Sequence, residues 1–280
     1  MAQSVYQFCF NMAVCVASGV AISGIALETL PAEAASFSFS GSRLTLDTLN
    51  ALPQTKASML DTDAIAQTQR GTANNFFDGT LDFVADETTR LNSGFEARSL
   101  GDGSGYFGQA QITSYALADF FVTPDQPFSL NFQFATRLQN QVGAAFERAT
   151  ARSMLSLSLL DQSQSVLKFF TLDASVNTSP IDQQTNESLL MSTNAQIFGN
   201  SRQLLPGANQ EIGNISFAGG FTHSVSQPTL LTLQVDTLNQ SCVQAPNTQE
   251  TCVKVPDSSG ALSFAVVTAL GLVFVPKLRQ

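Results

Sequence analysis

From residue 36 onward the dominant pattern in this chain is a two-residue alternation of apolar and polar side chains. Phe128, Leu130, Phe132 and Phe134 alternate with Ser129, Asn131 and Gln133. An extended strand turns successive side chains to opposite faces, so the four apolar groups share one face. Thr123-Pro124-Asp125-Gln126-Pro127 just before them predicts a turn between strands. The segments "SMLSLSLLD" and "SVLKFFTLDASV", separated by Gln162-Ser163-Gln164, predict a β-hairpin. Met154, Leu155, Leu157, Leu159, Val166, Phe169 and Leu172 are its expected buried set. "NISFAGGFTHSVS" (214–226) and "TLLTLQVDTL" (229–238), joined at Gln227-Pro228, predict a further pair, and "SFSFSGSRLTL" alternates near the start. Residues 49–80 and 90–110 carry no clear period, the latter having the glycine content of a loop running into a strand. The polar stretch 177–211 predicts a long surface excursion with one short apolar element.

Short strands at this spacing, with Gly, Pro and Ser between them, predict an all-β body of two packed sheets, a jelly-roll-like β-sandwich over residues 35–254. A right-handed β-helix would need a fixed-period internal repeat, and none is evident. Sustained apolar runs of helical character occur at the two termini.

Phe8 to Leu27 is apolar apart from Asn11 and a few serines, and "ETLPAEAASFSFSG" follows it. Ala32 and Ala34 flank Glu33 as the small-x-small pattern that signal peptidase accepts. The expected signal peptide is therefore 1–34, with cleavage after Ala34 or one residue later. Residues 1–7 lack the Lys or Arg of a usual signal. Val14 before Cys15 excludes a lipid-anchored start, which needs a small residue there. At the other end, Gly260 to Val275 is an uncharged run of 16 residues followed by Lys277 and Arg279. As a helix it spans about 24 Å, less than a hydrocarbon core of roughly 30 Å. Basic residues beyond an apolar helix hold that end in the cytoplasm, leaving the body outside.

Val255-Pro256-Asp257-Ser258-Ser259, the apolar run 260–275 and the basic end at Lys277 and Arg279 together resemble the C-terminal signal of bacterial PEP-CTERM proteins, which exosortase handles. Those proteins end in a Val-Pro-Glu-Pro-like motif, a transmembrane helix and a basic cluster. Here Asp257 stands for the glutamate, Ser258 for the second proline, and Leu278 interrupts the basic pair. The "PAEAASFSFSG" entry and Phe-rich strands are also similar to cyanobacterial members. The resemblance implies a sorting signal over 255–280 and cutting near Pro256 by an exosortase-type membrane peptidase. It further implies a non-catalytic protein of the cell surface or exopolysaccharide matrix, held in the inner membrane only transiently. A plain membrane anchor is the alternative for the same tail.

Charge narrows the partners. Between residues 35 and 256 there are 11 basic and 19 acidic residues, a net of −8. Nucleic acid needs clustered Lys and Arg, and acidic polysaccharide would be repelled unless calcium bridged it. Once the signal is removed, Cys242 and Cys252 remain in "CVQAPNTQETC", a stretch symmetric about Asn247. An even pair in an exported chain predicts a disulfide, whereas zinc would lack ligands.

No cofactor is expected, because no catalytic set assembles in the sequence. His223 has no G-x-S-x-G nucleophile elbow to serve. Asp78, Asp82, Asp86 and Glu87 in "DGTLDFVADE" offer carboxylates for glycoside hydrolysis, with Asp82 and Asp86 able to share a strand face. "GDGSG" (101–105) has one carboxylate where a calcium loop needs several oxygens, and reads better as a glycine-rich turn. The second functional class is a carbohydrate-binding or glycan-cleaving sandwich, with Tyr106 and Tyr115 as platform residues, since the chain has no Trp.

Overall fold

The computed structural model describes residues 36–49, 51–85, 89–144, 146–179, 186–207, 209–246, 248 and 252. The signal helix expected before residue 35 and the sorting helix expected after 255 lie outside the described residues. Between them the chain forms ten strands: β1 (Ser36–Leu49), β2 (Pro53–Ala85), β3 (Thr89–Val122), β4 (Phe128–Val142), β5 (Arg148–Leu160), β6 (Val166–Thr178), β7 (Asn186–Thr193), β8 (Gln196–Leu205), β9 (Gln210–His223) and β10 (Thr229–Gln244). All pair antiparallel in one sheet of order β7-β6-β5-β10-β3-β1-β4-β9-β8, with β2 along the free side of β3. The all-β expectation holds.

The sheet curls because β3 changes partners along its length. Residues 89–101 pair with β1 and residues 107–122 with β10, while β2 follows β3 on the other side through both halves. Two wings result, β1-β4-β9-β8 and β10-β5-β6-β7, and they face each other. Phe132 of β4 meets Phe170 of β6 with ring centroids 4.8 Å apart, and Phe170 meets Phe217 of β9 at 5.8 Å. Tilted pairs at this range add attraction to the apolar area they bury.

The corner in β3 is built from "GDGSGY". The ring of Tyr106 lies over Gly101, where any Cβ would overlap it. Gly103, at φ 99°, opposes Gly71 of β2, where the register shifts. Glycine is required here because the backbone turns through left-handed dihedrals with another strand in contact. The corner also resets the alternation. Leu91, Phe95 and Ala97 point inward before it, and Ala110, Ile112, Ala116 and Phe120 after it. The expected turn at 101–105 is therefore a bend inside a continuous strand.

Beside the corner the interior is polar. Ser38 of β1 donates to the backbone oxygen of Thr150 in β5 (2.6 Å), and Ser40 to that of Arg152 (2.5 Å). Asn239 of β10 accepts from Ser40 (3.0 Å) and donates to Ser42 (2.7 Å). Asn140 of β4 donates to the oxygens of Ala149 (3.0 Å) and Val176 (2.8 Å) in the opposite wing. Packed sheets normally stand about 10 Å apart, and a serine cannot span that gap. The wings are thus closest at the corner and separate toward the far end, where Phe120, Phe128, Phe132 and Phe170 fill the space.

The structure corrects several sequence expectations. In β1 the serines face inward, Ser36, Ser38 and Ser40 all being inaccessible, while Phe37 and Phe39 lie on the opposite face, where Phe39 is buried beneath the Arg98 guanidinium. In the β5–β6 hairpin the buried partner is Phe170, with Phe169 and Met154 on the outer side. Residues 49–80 and 90–110 are mostly the long β2–β3 hairpin, and 177–211 supplies β7 and β8.

Two substitutions test the narrow end, Gly101→Ala and Asn140→Ala, with Gly94→Ala as a control. Gly101→Ala is expected to destabilise by about 2–3 kcal/mol in urea unfolding. Gly94→Ala, whose added Cβ would meet only Thr80 Oγ1 at 3.8 Å, should leave stability unchanged or slightly raised. Asn140→Ala strands two backbone oxygens and should cost roughly 2–4 kcal/mol; a loss below about 0.5 kcal/mol would mean that the seam does not hold the wings together.

Candidate functional site

The expected disulfide is present. Cys242, near the end of β10, bonds to Cys252 with Cα atoms 5.7 Å apart, and the Cys252 amide donates to Gln244 Oε1 (3.1 Å). Cys252 itself lies in no strand. The sorting residues Val255, Pro256, Asp257, Ser258, Ser259, Lys277 and Arg279, and the cleavage residues Ala32 and Ala34, lie outside the described residues.

Asp78 and Asp82 are exposed on β2, opposite Glu96 and Asn92 of β3. Four residues of strand separate them by about 13 Å, beyond the spacing at which two carboxyls act on one glycosidic bond. Glu96 is held instead by Arg98 at 2.8 Å. Asp86 and Glu87 lie outside the described residues. His223 ends β9 opposite Phe128. Asp102 is exposed at the corner, and among the described residues no group of three His, Cys, Asp or Glu is placed to hold a metal. Tyr106 is fully buried and cannot be a platform; Tyr115 sits on an outer face opposite Asp236.

The outer face of the β1 wing gathers the most varied chemistry. Phe37 and Phe39 stack at 6.5 Å with a 10° interplanar angle. The Phe39 ring folds along its own strand over Gly41, and the Arg98 guanidinium lies 5.4 Å from it and 5.6 Å from Phe76. Cation–π contact of this kind adds to the Glu96 ion pair in fixing the Arg98 guanidinium. One row on, Arg137 donates to Gln139 Oε1 (2.9 Å) beside Gly41. Arg43 rises between Gly94 and Ala135, and Asn92, Gln133 and Asn131 continue the face. The net-acidic chain thus places Arg43, Arg90, Arg98 and Arg137 on one face, interleaved with Asp47, Asp78, Asp82 and Glu96. Planar amides and guanidinium forks can hydrogen-bond hydroxyl-rich or carboxylate-bearing surfaces. They supply no nucleophile.

The sequence concealed this face because its aromatic members stand at positions that alternation assigns to a core. The signal that locates them is Gly41 between Phe39 and Arg43, a gap in a strand that a neighbouring ring can cover.

Two carboxyls are strongly perturbed elsewhere. Burial pushes Glu211 up to about 7, with the Glu187 charge adding to the effect and a hydrogen bond from Thr178 (3.0 Å) opposing it. Burial likewise pushes Asp236 up to about 6, against a hydrogen bond from Gln234 (2.8 Å). Asp236 and burial together drive the Tyr115 phenol up to about 12, burial being the larger cause. No protein-family model matches the chain, and no curated protein matches it in sequence.

These acids set the pH dependence. Their folded-state values exceed the unfolded ones, 4.5 for Glu211 and 3.8 for Asp236. The native state therefore holds more protons between about pH 4 and 7, and stability falls as pH rises through that window. Glu211→Gln should match the parent near pH 4 and exceed it by on the order of 1 kcal/mol at pH 8 in denaturant titrations. A gap that stays constant with pH would reject this assignment.

Proposed function

We propose that this is an exported protein of the cell surface or extracellular matrix, a non-catalytic jelly-roll-like sandwich sorted by its PEP-CTERM-like tail. The observation that carries the reading is the Cys242–Cys252 disulfide. Such bonds persist in oxidising compartments, so the cross-link fits a chain that leaves the cytoplasm. Its position fits as well. Cys252 stands three residues before Val255, so the staple secures the end of the body and leaves the sorting motif beyond it. Cutting near Pro256 would then release every described strand intact. Signal peptidase and an exosortase-type membrane peptidase act on the chain as their substrate, and its own side chains provide the address.

The outer face around Arg43 and Arg137 favours a second reading, a carbohydrate-binding sandwich on a retained membrane anchor. Exposed amides and guanidinium groups offer hydrogen bonds to sugar hydroxyls and to uronic carboxylates. For the glycan-cleaving form, Asp78 and Asp82 are too far apart on one strand to share a glycosidic bond, and Asp86 lies outside the described residues.

Mass spectrometry of the exported protein separates these readings. The sorted form should begin at Ala35 or Ser36 and end near Pro256. A chain keeping Lys277 and Arg279 in the membrane fraction supports the anchor, and an intact 280-residue chain in the cytoplasm rejects export. Binding to immobilised neutral and acidic polysaccharides, lost in an Arg43→Ala/Arg137→Ala variant, would establish the carbohydrate reading.

A further inference from the structure

On the outer face of the β1 wing, the row of side chains through Arg43 crosses six strands, and its other members are all small. In register order it runs Thr80, Gly94, Arg43, Ala135, Ser216 and Ser201, from β2 to β8. At about 4.8 Å per strand the row is roughly 24 Å long. Gly94 is its open point, since a Cβ added there would meet only Thr80 Oγ1 at 3.8 Å. Beside this notch stands Arg43, which is exposed and has no hydrogen bond or ion pair among the described residues. Its neighbours on the face are engaged, Arg98 by Glu96 and Arg137 by Gln139. Acidic groups gather toward the β2 end, where Asp78 and Asp82 flank Thr80 and both are exposed.

We propose that this row seats one linear glycan chain lying across the strands, with a uronate sugar over Gly94 whose carboxylate pairs with Arg43. The inference rests on the carbohydrate reading of this face and names its ligand. A guanidinium with no partner inside the protein takes a carboxylate in a two-bond fork. Glycine beside it leaves a sugar ring room to approach the backbone. An extended sugar chain advances by close to one strand spacing per residue, so successive sugars meet successive strands. A peptide advances only about 3.3 Å per residue and falls out of step with them. Peptides also join a sheet at its edge, through backbone pairing, rather than across its face. The sugars flanking the uronate are neutral. Toward β2 a second carboxylate would meet Asp78, Asp82 and Glu96, which repel it and accept hydroxyl hydrogens instead. Toward β8 the hydroxyls of Ser216 and Ser201, 2.8 Å apart, offer donors and acceptors to sugar hydroxyls.

The test is calorimetric titration of the full-length chain in detergent, with EDTA present so that calcium bridges no carboxylates. Three probes are compared: an oligosaccharide of deacylated gellan, in which neutral sugars separate the uronates, a cello-oligosaccharide of equal length, and polyglutamate. The gellan fragment should bind roughly tenfold or more tightly than either of the others. Arg43→Gln should remove that margin. Gly94→Leu should weaken gellan binding by a similar factor, with Tm within about 2 °C of the parent's. Should Gly94→Leu lower Tm further, Gly94→Ser, expected to weaken binding about threefold, decides together with Arg43→Gln. Polyglutamate binding as tightly as the gellan fragment would reduce the site to a plain anion patch and overturn the proposal. Equal affinity for the cello-oligosaccharide, or glycan binding that Arg43→Gln or Gly94→Leu leaves untouched, overturns this seat and leaves the carbohydrate reading standing. Failure of both glycans to bind overturns both.

Discussion

The gap between the two wings is the constraint on which the rest of the molecule depends. At the Gly101–Tyr106 corner one strand belongs to both wings, so the layers cannot stand a full side chain apart. Residues just inside must be short, and short side chains leave backbone groups of the facing wing within reach. That is why the seam uses serine and asparagine rather than leucine. Each Ser38, Ser40 or Asn140 contact joins a side chain to backbone across the layers, which fixes distance as well as identity. Away from the corner the wings diverge, and the space passes to phenylalanines. The two kinds of core answer one geometric condition.

The long hairpin follows from the same bend. β2 must accompany β3 around the corner, and it does so as an edge strand, exposed on both faces from Gln54 to Thr72. An uncovered edge invites pairing with other chains, and charge, proline and irregular register discourage it. β2 carries Pro53, Lys56, Asp61, Asp63 and Arg70, with its register shifts around Thr68 to Gly71. Lys56 also reaches back to the Phe83 oxygen (2.9 Å) and lies 5.6 Å from that ring, linking the two halves of β2. Its polarity protects the edge and leaves little hydrophobic signature.

This explains what the sequence disclosed and what it concealed. Where a strand has one buried and one open face, as in Phe128 to Phe134, alternation shows in the letters, and the buried set was legible. The cysteine pair was legible because symmetric turn residues already imply that the chain folds back between them. β2 was not legible, since a strand exposed on both faces has no reason to alternate. β1 misled for a different reason. Its alternation is genuine, but a narrow interior takes the serines and a covering guanidinium takes the phenylalanines, so the period survives while its sense inverts. β3 hides a change of parity at its corner, which glycines present as a turn. Candidate site residues fared by the same rule. Asp78 and Asp82 are close in sequence, yet extended backbone sets them too far apart to share a substrate bond.

The distribution of charge connects fold to fate. The outer faces carry amides, hydroxyls and interleaved ions, so the body stays hydrated with few lysines and no strong single-sign patch on the β1 wing. Amides and hydroxyls both donate to and accept from water, so hydration of this surface does not depend on net charge. The polar seam serves the same end from within. A seam of this kind holds polar groups inside at little cost, because each donor finds an acceptor on the facing wing. Glu147, drawn inside by two backbone amides, gives that end of the molecule a reason to be polar.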